Sequence, residues 1–220
     1  MKILAVDTSS SVCSTALLED DNLIDENNLD NGKTHSENLM PLIKELLERN
    51  NVNLSEIELI AISCGPGSFT GIRIGIASIK AMAEVHNIPV AEVTSLEILA
   101  RNDESGKVKI ALIDARNNQV YAGVFDKEYN LLEEYMADDI NKIFEKISKY
   151  SGAVCIGDGA LLHKEILLKI EGISFLDNNK QSAFRAGQIG YKKYLENNLK
   201  NADTVMPIYL RKSQAERMKK

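Results

Sequence analysis

The sequence has no tryptophan, five phenylalanines, three cysteines and four prolines among its 220 residues. Cys13, Cys64 and Cys155 are odd in number, far apart and without a C-x-x-C pair. That excludes a disulfide framework and a thiol-redox motif, and it fits a reduced, cytoplasmic setting with the cysteines as small core residues. No apolar run approaches the roughly 18 residues that would span a bilayer. Met1 to Asp7 enters a strand directly, without a secretory signal, so no membrane is expected as a partner. Excess positive charge is missing too. A formal net charge of −6 argues against a chain that grips nucleic acid over a broad face by itself. One local exception is the C-terminal run from Arg211 to Lys220, where Lys212, Arg217, Lys219, Lys220 and Arg211 stand against Glu216. It reads as a solvated helix end or a phosphate-binding tail. What is present, 44% apolar and 26% charged residues, is ordinary for a globular chain of one large domain or two lobes.

The chain is organised around Cys64-Gly65-Pro66-Gly67-Ser68-Phe69-Thr70-Gly71-Ile72-Arg73-Ile74-Gly75. The apolar run Ile57 to Ile62 before it reads as a buried strand. Ile72, Ile76, Ile79 and Ala83 after it recur at helical spacing. Strand, glycine loop and helix in that order suit a backbone that approaches a phosphate or another chain closely. Ser68 or Thr70 can cap the helix. The loop is no standard nucleotide motif, since Gly71 is followed by Ile72-Arg73 instead of Lys-Ser/Thr, and the spacing of Gly65, Gly67 and Gly71 misses G-x-G-x-x-G by one residue. A tight turn with close helix packing is the alternative reading.

Along the chain, Ile3 to Asp7, Val12 to Leu18 and Asn22 to Leu29 read as strands. Lys33 to Glu37 opens a helix with Leu39, Leu42, Ile43, Leu46 and Leu47 on one stripe, capped by Thr34 or Ser36 with Glu37 at its positive end. A short strand follows Pro89, and Thr94-Ser95 starts another helix. A second pass begins near Lys107: Ile110-Ala111-Leu112-Ile113-Asp114 copies Ile3 to Asp7 in pattern, 107 residues on. In the same register, Ala115 to Asn118 matches the polar turn Thr8 to Ser11, and Val120 to Asp126 matches Cys13 to Glu19. Tyr129 to Tyr135 is the expected third strand, Ile140 to Ile147 the helix, and Ala153 to Ile156 the strand before Gly157-Asp158-Gly159. The ordered series argues for internal duplication: two similar lobes with mixed sheets flanked by helices, 1–103 and 104–220. Asp7, Asp114 and both glycine turns are expected to face the cleft between them.

The residues give little chemistry of their own. His35, His86 and His163 have no ligand-spaced partner, no H-E-x-x-H exists, and no cysteine sits in an evident basic environment. No metal ligand and no catalytic residue is expected. Ser9, Ser10 and Ser11 offer hydroxyls to a phosphate, and Asp7 can orient a cation or water or simply cap its turn. Asp114-Ala115-Arg116 reads as a cleft element or an internal salt bridge. The helix after Gly71 is apolar nearly all round, with Ile74, Ala77, Ala81 and Val85 beside the main stripe, so it is buried in a core or packs on another chain.

Asp7-Thr8-Ser9, His35-Ser36-Glu37, the Gly65–Gly75 motif, Asp114-Ala115-Arg116 and Pro207-Ile208-Tyr209-Leu210-Arg211 together resemble the TsaB (YeaZ) family over nearly the full length. The resemblance implies a duplicated actin-like (ribonuclease H-like) α/β architecture of the actin and hexokinase superfamily. It implies a non-catalytic subunit that activates the TsaD ligase, which transfers the threonylcarbamoyl group of threonylcarbamoyl-AMP to an adenosine of tRNAs reading ANN codons. In TsaD the corresponding helix carries two metal-binding histidines four residues apart; here His35 is followed at that spacing by Leu39, so the pair is gone. Implied partners are TsaD, the ATPase TsaE and a second copy as homodimer, with tRNA met only through the complex. The implied interface comprises His35, Glu37, Leu39, Leu42, Ile43, Leu46, Gly67, Phe69, Thr70, Ile72, Arg73, Ile76 and Ile79. The implied cleft residues are Asp7, Thr8, Ser9, Gly65, Gly67, Asp114, Arg116, Gly157 and Gly159. No cofactor is required, and weak ATP or ADP binding at the cleft or partner interface stays open. The alternatives are a free-standing actin-like ATPase or kinase and, last, a peptidase.

Overall fold

The first apolar run forms β1 (Lys2–Asp7), in which Ile3, Leu4, Ala5 and Val6 are all fully buried. A strand that is apolar on both faces belongs in the middle of a covered sheet. β2 (Cys13–Glu19) pairs with it antiparallel and β3 (Asn22–Leu29) continues outward. After helix α1 (His35–Arg49), β4 (Leu59–Ser63) pairs with β1 in parallel on the other side. Helix α2 (Phe69–His86) crosses back to β5 (Val90–Val93), and α3 (Ser95–Ala100) follows. The strand order is β3-β2-β1-β4-β5.

The second pass builds β6 (Lys109–Asp114), β7 (Gln119–Phe125), β8 (Met136–Asp139), α4 (Ile140–Ile147) and β9 (Val154–Ile156). The short helices α5 (Asp158–Leu162) and α6 (Lys164–Leu167) and strand β10 (Ser174–Phe175) complete it. Its order, β10-β9-β6-β7-β8, repeats the first sheet strand for strand, with β6 in the place of β1. The duplication is therefore present in the topology. Among the described residues no helix is long and apolar enough to cross a membrane.

A computed structural model describes residues 1–177 and 179–211. They group into two units, Met1–Ile98 with Gln181–Ile208, and Leu99–Lys180 with residues 209–211. This differs from the expected division at 103/104, and the reason is a helix for which the sequence reading had no element. Helix α7 (Ala183–Leu195) turns Ala183, Ala186, Gly187, Ile189 and Gly190 inward. They pack with Ile3, Ala5, Ala16, Leu18, Ala61 and Ala91, on the sheet face opposite the one α1 and α2 cover. Residues 1–103 offer only short α3 for that face, so the chain returns to close it. Ser14 Oγ accepts from Ala183 N at 2.9 Å, and Glu26 Oε1 accepts from Ser182 Oγ at 2.6 Å and Phe184 N at 3.0 Å, fixing the start of α7.

Two further expectations are corrected. Asp7 pairs with Ser14 but Asp114 with Val120, so the second hairpin turn is one residue shorter and the gapless register ends there. The third strand of the second pass is Met136–Asp139, not Tyr129 to Tyr135. Asp126 Oδ1 accepts from Glu128 N and Asn130 N, which bends residues 126–130 into a turn. Of the basic run, Arg211 donates to Ala115 O at 3.2 Å, and Lys212 to Lys220 lie outside the described residues.

Candidate partner interface around the glycine loop

The glycine loop lies on the first turn of the chain. Ser68 N donates to Ser9 O at 2.8 Å and Thr8 Oγ1 donates to Gly71 O at 2.8 Å. A Cβ on Gly67 would stand 2.2 Å from Ser9 O, on Gly71 2.1 Å from Thr8 O, and on Gly75 2.3 Å from Thr8 Oγ1. No side chain fits at those distances, which is why the spacing of these glycines follows the helix start and not a nucleotide fingerprint. Ser68 Oγ caps α2 by accepting from Gly71 N at 3.2 Å. His35, at the entry of α1, reaches the same place: its Nε2 lies 2.9 Å from Ser10 O, and its ring edges Gly71. Asp7 is almost wholly buried; Ser9 N donates to its Oδ1 at 2.7 Å. Burial pushes its carboxyl above the usual carboxylate range, and the Ser9 hydrogen bonds oppose that.

The structure thus unites Asp7, Thr8, Ser9, Gly65, Gly67 and His35, and it also consumes their polar atoms. The Thr8 hydroxyl and the Ser9 carbonyl, N–H and hydroxyl are all engaged within the chain. A phosphate resting on Ser9 would have to displace those bonds. Gln181 Oε1 also stands 2.7 Å from Ser9 Oγ. Nothing near Ser9 in sequence pointed to Gln181, because the tertiary placement of the segment before α7 brings it there.

In the second unit, a Cβ on Gly157 would stand 2.1 Å from Leu112 O, and one on Gly159 would crowd the backbone of Ile113 and Asp114. Asp158 Oδ1 accepts from Asp114 N at 3.0 Å, and Asp114 Oδ1 accepts from Arg116 N at 2.8 Å. Arg116 itself is exposed at φ +62°, and among the described residues no ion pair joins it to Asp114. The internal salt bridge expected there is not formed.

The helix stripes are also corrected. Leu39, Leu42, Ile43, Leu46, Ile72, Ile76 and Ile79 are buried in one core cluster with Leu4, Val6, Leu17, Ile60 and Ile62. They hold α1 and α2 on the sheet, at about 1.5–3 kcal/mol for each large side chain buried, and cannot be offered to a partner. Another set faces outward. On α1 it includes Ser36, Glu37, Met40, Pro41, Lys44 and Glu45, and on α2 Thr70, Arg73, Ala77, Ala81, Glu84 and Val85. Met40 is 48% and Val85 73% exposed. Gly67 and Phe69 are half-buried at the start of α2, and the Arg73 guanidinium lies 5.8 Å from the Phe69 ring centroid. Glu37 is spent on the helix start, accepting from Thr34 N at 3.0 Å and Thr34 Oγ1 at 2.7 Å.

Residues 30–166 match the family model of TsaD, tRNA N6-adenosine threonylcarbamoyltransferase. The chain is 31% identical to the tRNA threonylcarbamoyladenosine biosynthesis protein TsaB of Bacillus subtilis, over 98% of this chain and 96% of that protein. The solved YeaZ structure from Pseudomonas aeruginosa superposes with a TM-score of 0.80 at 25% identity, over 95% of this chain and 99% of the other. The ROK hexokinase of Thermus thermophilus shares the fold alone, with a TM-score of 0.52 at 12% identity over 89% of this chain and 100% of that one. With a full-length relative above three-tenths identity and the same fold throughout, the chain belongs to the TsaB (YeaZ) family of tRNA threonylcarbamoyladenosine biosynthesis proteins.

Proposed function

We propose that this chain is a non-catalytic subunit that binds and activates the TsaD ligase, docking it through the outward faces of α1 and α2 and the loop at Gly67–Arg73. The observation that carries the reading is the first turn, where the Thr8 hydroxyl donates to Gly71 O and the Ser9 carbonyl accepts from Ser68 N. A superfamily member that turned over a nucleotide would need those groups for its phosphates. Instead they brace the start of α2, the helix whose far side carries Ala77, Ala81 and Val85 to the surface. Small and apolar outward residues on two adjacent helices allow a partner's helices to approach closely, and a rim of Lys44, Arg73 and Glu84 gives polar register. The same face serves a second copy in a homodimer, TsaE joins the assembly, and tRNA is met through the complex.

The test is reconstitution with TsaD from the same genome. The expected result is a stable complex and a gain in threonylcarbamoyl transfer to tRNA, both lost in Val85→Glu while the free protein melts as before. Undiminished activation by that variant would move the interface elsewhere. ATP hydrolysis by the purified chain, abolished by a change at Thr8, would overturn the non-catalytic assignment.

A further inference from the structure

Gln181 is buried against the first turn although the two are distant in sequence. The Ser9 hydroxyl lies 2.7 Å from Asp7 Oδ1 and 2.7 Å from Gln181 Oε1. It carries one proton and can donate to only one of these oxygens. Asp7 Oδ2 meanwhile is buried without a hydrogen bond of ordinary geometry; the Ser63 hydroxyl, which pairs with Ser95 Oγ at 3.0 Å, acts on this carboxyl from the end of β4 and favours its ionised form. An ionised carboxylate so placed keeps an anionic oxygen away from water, at far greater cost than a carbonyl oxygen left without a donor. A neutral carboxyl answers both observations. Its Oδ1–H donates to Ser9 Oγ, the Ser9 hydroxyl donates to Gln181 Oε1, and Oδ2 remains as the carbonyl. The Ser9 N–H still finds a lone pair on Oδ1. Burial is the largest influence on this carboxyl and favours the neutral form, against the Ser9 and Ser63 hydrogen bonds and the nearby His35.

The groups facing this carboxyl come from several elements. α1 presents His35, β2 presents Cys13, and the end of β4 presents Ser63 and then Cys64. Burial pushes the Cys13 thiol up to about 11 and the Cys64 thiol up to about 12, so neither adds charge near neutrality. Gln181 closes the side from which α7 begins.

We propose that Asp7 is a protonated carboxyl at neutral pH and that Asp7, Ser9 and Gln181 form a proton-linked latch. It fixes the first turn beneath the glycine loop and thereby the seating of α2. Ser9 is the joint: its carbonyl accepts from Ser68 N, its hydroxyl faces Gln181, and its backbone blocks any Cβ at Gly67. Loss of the Asp7 proton turns the Ser9 hydroxyl toward the carboxylate and leaves Gln181 Oε1 without its donor. The turn and the start of α2 then loosen. The sign follows from the raised folded-state affinity for the proton. The native chain holds a proton that the unfolded chain has released, so stability is full below the unfolded value and falls as pH rises through the folded one. The consequence for partner binding rests on the reading of α1 and α2 as the docking face.

The protonation state is tested in the free, full-length protein by 13C-carboxyl NMR of labelled aspartates, with Asp7→Asn assigning the Asp7 resonance. The expected result is an Asp7 signal at the neutral-acid position when the other aspartates have ionised. A signal at the ionised position at neutral pH overturns the latch and means that the Gln181 amide is turned to donate from Nε2. Should Asp7→Asn not fold, Gln181→Ala perturbs and so identifies the same resonance. The second measurement is TsaD association from neutral to alkaline pH. Wild type is expected to weaken roughly tenfold, in the usual range for coupled sites, while Asp7→Asn stays flat. An Asp7→Asn profile that follows wild type overturns the coupling. Failure of wild type to bind TsaD at any pH overturns the proposed function instead, and the NMR result still decides the latch.

Discussion

The two units start with the same device, a strand ending in aspartate followed by a polar turn, and treat it in opposite ways. In the first, Thr8 and Ser9 are buried beneath Gly67 of the loop and Gly71 and Gly75 of α2, and the turn is part of the core. In the second, Arg116, Asn117 and Asn118 stand in solvent at φ +62°, +54° and +59°. That turn closes on itself, with Ala115 N donating to Gln119 O and Gln119 N to Arg116 O. Being one residue shorter, it reverses the chain within less backbone, which requires the left-handed conformations favoured in tight hairpins. Duplication transmits topology; what a turn packs against decides whether it is braced or exposed.

The largest effect expected from this contrast is at Ile76, 5% exposed in the first-unit core. Ile76→Glu buries an unpaired carboxylate and is expected to cost about 4 kcal/mol or more, with amide exchange rising throughout β1 and β4. Val85→Glu, on the outward side of the same helix, is expected to stay within about 0.5 kcal/mol of wild type. Equal melting of the two variants would remove the distinction between the inner and outer faces of α2.

Next comes the braced turn. Gly71→Ala forces a methyl to within 2.1 Å of Thr8 O, and overpacking of this kind costs about 1–3 kcal/mol. Urea unfolding should show it as a lower midpoint. Thr8→Val keeps the shape but deletes the hydrogen bond to Gly71 O, and about 1 kcal/mol should be lost. If both changes are neutral, the glycine loop is not clamped on the turn as described.

The smallest effect has the opposite sign. Arg116 holds a left-handed conformation that costs a non-glycine residue about 1 kcal/mol. Arg116→Gly should therefore raise stability by several tenths of a kcal/mol, partly offset by the added freedom of the unfolded chain. A loss of stability would reveal a contact of the Arg116 side chain that braces the second turn as well.

Much of this arrangement was legible in the residues. The run Ile3 to Val6, apolar at every position, showed a strand, and Thr34 or Ser36 with Glu37 marked the start of α1, as Ser68 or Thr70 marked that of α2; the structure uses Thr34 and Ser68. The strand and helix series after Lys107 disclosed the duplication. The interface stripe was misplaced because the periodicity of Leu39, Leu42, Ile43 and Leu46 shows that a helix has an apolar face but not what covers it. A sheet of the same chain and a partner select the same residues.

Sequence by itself settled the class of fold, the repeat and the family, because these depend on local spacing and on motifs read in order. Tertiary structure alone decided that residues 181–208 belong with the first sheet, since the need to bury its second apolar face is met by whichever segment can reach it. It alone placed Gln181 against Ser9 and the glycine loop against Thr8, contacts between groups distant along the chain. Their energies come from burial and hydrogen-bond geometry, and neither leaves a period or a spacing in the sequence.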